Sequence, residues 1–73
     1  METIVLRDEF IKLGQALKAV GFVEDGVEAK AEITEGRVKV NGETETRRGK
    51  KLYAGDIVSF DGKEIKILSK NGI

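Results

Sequence analysis

Arg37-Val38-Lys39-Val40-Asn41-Gly42 is the stretch on which the fold turns. Its valines alternate with cations, so an extended strand sends Val38 and Val40 to one face and Arg37 and Lys39 to the other. Asn41-Gly42 then supplies two residues that tolerate positive φ, the strongest short-range signal for a tight hairpin. The segment reads as a half-buried strand with a turn at its end. Its apolar face needs a partner layer, and its polar face carries two positive charges.

Downstream, the run Arg47-Arg48-Gly49-Lys50-Lys51 follows Glu43 to Thr46 and has no apolar period, so a mobile basic loop is expected. Gly55-Asp56 marks a turn. After it, Ile57-Val58-Ser59-Phe60 and Lys63-Glu64-Ile65-Lys66-Ile67-Leu68 flank Asp61-Gly62, which predicts a second tight hairpin. The tail from Ser69 to Ile73 is expected to fray.

Upstream the period is helical. Asp25-Gly26-Val27-Glu28 opens an element with a carboxylate at the cap and a glutamate three residues on, each able to satisfy amides of the first turn. Val27, Ala31 and the pair Ala29 and Ile33 offer its apolar side, and Gly36 closes it. Before it, Phe10, Leu13, Leu17 and Val20 recur at helical spacing, with Ala16 widening the stripe, and Gly21 ends that helix. The connection around Phe22 is about four residues, short enough that the two helices share a core. Thr3-Ile4-Val5-Leu6 reads as a short strand that Arg7-Asp8-Glu9 interrupts. The fold class is therefore α+β: two short helices packed on one side of a small, mainly antiparallel sheet.

A chain of 73 residues holds one domain, 1–73, and buries only about 60% of its unfolded surface, so most apolar residues belong to the core. There is no cysteine and no histidine, which removes disulfides, thiolate nucleophiles, imidazole bases and the ligands that zinc prefers. No cofactor and no metal site is expected. Apolar runs of three or four residues resemble neither a secretory signal nor a membrane span, which implies a cytoplasmic location. Lys+Arg and Asp+Glu balance at 13 each. That neutrality hides a dipolar chain: Met1 to Glu35 carries four basic and eight acidic residues, and Gly36 onward carries nine basic and five acidic. Arg37, Lys39, Arg47, Arg48, Lys50 and Lys51 fall close together with only Glu43 and Glu45 opposing them, the asymmetry a polyanion-binding face requires.

The segment from Ala29 to Gly42, followed by Gly55-Asp56-Ile57-Val58, resembles the S-four (S4) RNA-binding domain. The likeness runs back through Leu13, Leu17 and Gly21 and covers about residues 11 to 60. Leu13-Gly14-Gln15 and Glu45 to Leu52 make the chain similar to the small stand-alone bacterial members of the YbcJ/YaaA type. The resemblance implies a non-catalytic module that binds structured RNA, ribosomal or transfer RNA above all, in contact with the ribosome or its assembly intermediates; at this size a monomer is the default expectation. It also implies that the second helix and the adjoining hairpin form the RNA surface. Family members carry Ser-Arg at the start of that helix and Ala-Arg one turn later. Here the first pair is Asp25-Gly26 and only Lys30 keeps a cation, which shifts the expected electrostatic grip downstream.

The candidate RNA contacts are Lys30, Arg37, Lys39, Arg47, Arg48, Lys50 and Lys51, which would neutralise phosphates, and Tyr53, which offers a stacking face or packs with Leu52 against the core. Lys12 and Lys18, six residues apart, do not share a helix face and read as solubility residues. Phe10, Phe22 and Phe60 read as core. Glu43, Glu45, Asp56 and Asp61 have no partner that would tune a pKa, and turn chemistry accounts for the aspartates, so no enzyme is expected. The rival reading is a protein-docking module that uses the acidic face Glu24, Asp25, Glu28, Glu32 and Glu35.

Overall fold

The computed structural model describes residues 1–70. The part of the expected frayed tail at 71–73 lies outside the described residues. In chain order the elements are β1 (Glu2–Val5), β2 (Ile11–Lys12), α1 (Leu13–Ala19), α2 (Gly26–Thr34), β3 (Val38–Val40), β4 (Glu43–Thr44), β5 (Lys51–Leu52), β6 (Ile57–Phe60) and β7 (Lys63–Leu68). Five strands form one sheet in the order β1-β7-β6-β3-β4, and β2 and β5 form a separate two-stranded ribbon. Among the described residues only the pairing of β1 with β7 is parallel.

Both hairpins are two-residue turns with both central residues at positive φ. Asn41 (φ 52°) and Gly42 (φ 84°) join β3 to β4, and Asp61 (φ 52°) and Gly62 (φ 77°) join β6 to β7. Such turns match the twist of antiparallel strands. The register then places Val38 beside Phe60 and Val40 beside Val58, and Val58 in turn beside Ile65 on its other side. All five are buried and form the inner face of the sheet. Against that face lie Leu13, Ala16 and Leu17 of α1 with Ala29 and Ile33 of α2, each fully buried.

Each helix ends on a glycine in the left-handed region. Gly21 N–H donates to the Lys18 carbonyl and Phe22 N–H to Leu17, and Gly36 and Arg37 repeat the pattern on Ile33 and Glu32. These bonds satisfy carbonyls that a helix end otherwise leaves unpaired. At the start of α2, Asp25 Oδ1 accepts from Glu28 N–H at 2.8 Å, and Glu28 Oε1 accepts from Glu24 N–H at 2.6 Å.

Three expectations fail. Phe10 is not helical: the chain is extended through Lys12, and Ile11 and Lys12 pair with Leu52 and Lys51. Phe10 stays half-buried outside the core, whereas Phe60 is buried and Phe22 packs against the core from its edge. On α2, Val27 is 80% exposed and Ala31 is exposed, because one helix face cannot hold both i, i+4 pairs, and Ala29 and Ile33 take the buried one. Among the described residues no helix is long and apolar enough to cross a membrane.

Candidate functional site

The basic run expected to be a mobile loop is tied down at its backbone. The first amides of a helix have no intrahelical acceptor, and in α1 two of them find one in this loop: Leu13 N–H donates to the Lys50 carbonyl at 2.8 Å and Gly14 N–H to the Arg48 carbonyl at 3.1 Å. Gln15 Oε1 accepts from Lys12 N–H at 3.2 Å. Lys50 N–H closes a turn onto the Arg47 carbonyl, and Lys51 and Leu52 continue into β5 against β2. The loop backbone therefore spends its carbonyls on α1, and its cationic side chains are left to the surface.

Gly14 is required by this close approach. A Cβ there would stand 2.9 Å from Arg48 Cγ, and 3.7 Å from the Arg48 carbonyl oxygen. Any side chain at Gly14 would have to displace the arginine.

Open concavities flank the loop, and two of them meet at Gly49. One, of about 280 Å³, is lined by Lys12, Lys18 and Arg48 together with Gly14 and Gly26. The other, of about 550 Å³, is lined by Arg47, Lys50, Lys51 and Tyr53. Lys12 and Lys18 thus belong with Arg48, contrary to their reading as unrelated solubility residues. That reading assumed a helix running through both, but Lys12 precedes the helix on extended backbone (φ −78°, ψ 148°). A strip of cations results, in which no single element of secondary structure supplies more than part.

Not every cation on the strip is free to meet an anion. Arg47 Nε donates to Glu45 Oε2 at 2.9 Å and its Nη2 to Oε1 at 3.2 Å, while its backbone N–H also donates to Oε2 at 3.0 Å. The hydrogen bond from the Arg47 side chain is the main reason the Glu45 carboxyl titrates at about 2 rather than 4.5. The same pairing raises the pKa of the guanidinium. Arg37 is likewise engaged, with Nη1 2.7 Å from Glu32 Oε1 and 3.3 Å from Glu35 Oε2. Arg48, Lys50 and Lys51 form no ion pair among the described residues.

Arg37, Lys30 and Lys39 line neither of these two concavities. Lys39 alternates with the buried Val38 and Val40, so it projects from the outer face of the sheet, away from the helix layer. Lys30 is exposed on α2, beside the buried Ala29. The acidic residues of α2 are mostly occupied: Asp25 and Glu28 cap the helix, and Glu32 and Glu35 hold Arg37.

Tyr53 is not packed into the core with Leu52. It is 45% exposed, its ring centroid 6.1 Å from that of Phe10 at an interplanar angle of 54°, and Lys51 Nζ sits 4.8 Å from the centre of the Phe10 ring. A double-turn lock aims it. Asp56 Oδ2 accepts from Tyr53 N–H at 2.8 Å, Asp56 Oδ1 accepts from Asn41 Nδ2 at 3.0 Å, and Asn41 Oδ1 accepts from Ile57 N–H at 2.9 Å. Asn41 therefore does more than turn the β3–β4 hairpin, since it fastens that hairpin to the turn carrying Tyr53.

Comparison with known proteins gives a consistent family. A model described as the S4 domain matches residues 4–68. YbcJ of Escherichia coli is 42% identical over 59 residues, which span 81% of this chain and 84% of that protein. A Bacillus subtilis protein carrying the name "Probable ribosome maturation protein RlbA" is 44% identical over 59 residues, spanning 81% of this chain and 83% of its own. The solution structure of E. coli YbcJ, described as revealing an ALFAL motif involved in RNA binding, superposes with a TM-score of 0.72 at 40% identity, covering 93% of this chain and 87% of that one.

Proposed function

This chain belongs to the S4 domain family, and on that premise we propose that it is a non-catalytic module that binds structured RNA through the cationic strip around Gly49. The observation that carries the reading is the backbone-pinned loop between two adjoining concavities, which holds Arg48, Lys50 and Lys51 unpaired beside Lys12 and Lys18. Cations held on a fixed backbone neutralise a row of phosphates without first having to order the loop. RNA binding described for the YbcJ motif supports the same assignment.

Arg48, Lys50 and Lys51 make the main phosphate contacts. Arg47 joins them by exchanging Glu45 for a phosphate, and Arg37 is held back by Glu32 and Glu35. Lys30 and Lys39 act as outlying contacts on longer RNA. The strip reads backbone and shape and not base sequence, so its target is folded RNA. The name of the Bacillus relative favours ribosomal RNA or a ribosome-assembly intermediate over transfer RNA. The chain works as a cytoplasmic monomer.

Affinity for an RNA hairpin should fall with salt at a log–log slope of about −2 to −4, the release expected from some three to five phosphates. The double reversal Arg48→Glu with Lys50→Glu should abolish binding even at low salt while the thermal melt persists. A slope near zero for the unaltered chain overturns the proposal. Loss of binding on reversal of Glu28 and Glu32 instead would move the site to the acidic face of α2.

A further inference from the structure

The phosphate strip ends on an aromatic residue that phosphate binding does not use. We infer that Tyr53, backed by Phe10, is a stacking site for one unpaired base, so that the module prefers RNA with a bulged or loop nucleotide beside a helix over uninterrupted duplex. The inference rests on the RNA-binding reading and adds a ligand class to it.

Three observations converge on Tyr53. The residue is 45% exposed although its ring is supported by Phe10, so an aromatic side chain is both braced and accessible. Its backbone is held at both ends of a turn, by Asp56 Oδ2 on its N–H and by Asp56 N–H on its carbonyl. A held ring loses little conformational freedom when a base settles on it. It also lines the same concavity as Lys50, Lys51 and Arg47, so the two halves of a nucleotide meet suitable partners within one recess. The ring offers a π-face to the base, and the cations face the flanking phosphates.

The geometry limits the site to a single base. Phe10 is tilted 54° from Tyr53, so the two rings present no common plane, and Phe10 already carries the Lys51 ammonium over its face. Lys51 thus touches Phe10 and lines the recess beside Tyr53. In an A-form duplex every base face is covered by its neighbours, and the deep major groove admits no side chain. Only a nucleotide that has left the stack can meet Tyr53. Because any base has a π-face, this selects for an unpaired position and not for a particular sequence.

The test uses the full chain and a short RNA hairpin with one bulged 2-aminopurine, beside the same hairpin fully paired and the same hairpin with an abasic bulge. Stacking on one aromatic should make the bulged hairpin bind roughly 5- to 150-fold more tightly than the paired one. The 2-aminopurine fluorescence should fall on binding. The abasic bulge should lose most of the preference, Tyr53→Phe should keep it, and Tyr53→Leu should bring the affinity ratio close to one. Equal affinity for bulged and paired hairpins overturns the inference, as does a preference that survives the abasic bulge or Tyr53→Leu. Binding of the paired hairpin without preference leaves the phosphate strip standing and removes only the stacking site. Failure to bind any of the three hairpins removes the RNA reading and this inference together.

Discussion

Asn41 makes no proposed contact with RNA, yet its replacement should be among the most damaging single changes at the surface. Its side chain makes two hydrogen bonds, donating to Asp56 Oδ1 and accepting from Ile57 N–H, while its backbone sits at φ 52°. Each bond is worth about 1 kcal/mol net, and the left-handed backbone adds about 1 kcal/mol for a residue that neither lacks Cβ nor hydrogen-bonds locally. Asn41→Ala should therefore cost about 3 kcal/mol. Asn41→Gly keeps the turn and loses only the bonds, so it should cost about 2 kcal/mol. Against a total stability of roughly 4–11 kcal/mol for a chain of this size, either is a large fraction. Urea unfolding at constant m-value, followed by circular dichroism, separates the two. If Asn41→Gly unfolds at the same urea concentration as the unaltered chain, the lock between the hairpin and the Tyr53 turn contributes nothing. If the alanine and glycine variants coincide, the backbone part of the reasoning is wrong.

Glu45 makes a pH prediction with a definite sign. Its carboxyl titrates at about 2 in the fold against 4.5 ordinarily, so the stability it contributes is complete above about pH 4.5 and drains away as pH falls toward 2. In a carboxyl NMR titration, Arg47→Ala should bring Glu45 back toward its ordinary value; a Glu45 already titrating near 4.5 in the unaltered chain would contradict the pairing. Gly14→Ala should weaken RNA binding without altering any charge, because the added methyl stands 2.9 Å from Arg48 Cγ and displaces the arginine. An unchanged affinity would mean that the position of Arg48 is immaterial. On α2, Ile33→Ala should cost about 2–5 kcal/mol and Val27→Ser less than about 0.5 kcal/mol, as their burial requires; denaturant midpoints that reverse this order would place the wrong face of the helix inside.

The parts of the fold that could be read from sequence are those fixed by local backbone chemistry. Asn41-Gly42, Asp61-Gly62, Gly21 and Gly36 all occupy positive φ, and each marks the end of an element where expected. The alternation of Val38 and Val40 with Arg37 and Lys39 survives as buried against exposed. What escaped was long-range pairing by segments too short to have a period. The two-residue strands β2 and β5 look like the start of a helix and the end of a loop until they are brought together. With them goes the immobilisation of the basic loop, which depends on α1 amides more than thirty positions upstream.

Site residues divide in the same way. The cluster from Arg47 to Lys51 is visible as charge, but its partition into paired and unpaired cations depends on side-chain geometry. For Arg47 a signal existed in Glu45, two residues back, where an extended chain places both side chains on one side. The placement of Lys12 and Lys18 beside Arg48 is not legible from helix spacing, because Lys12 lies outside the helix. Phe10 gave no sign that it would leave the core and support Tyr53, since both are aromatic residues next to apolar neighbours. The acidic residues of α2 looked like a docking face, and most prove to be caps and partners of Arg37.

The most direct test of the central claim is an amide NMR titration of the ¹⁵N-labelled chain with an RNA hairpin at low salt. The cationic strip predicts the largest shifts at Lys12, Gly14, Arg48, Gly49, Lys50 and Lys51, with α2 amides from Ala31 to Glu35 nearly still. Shifts concentrated on α2, with the loop unmoved, would contradict it.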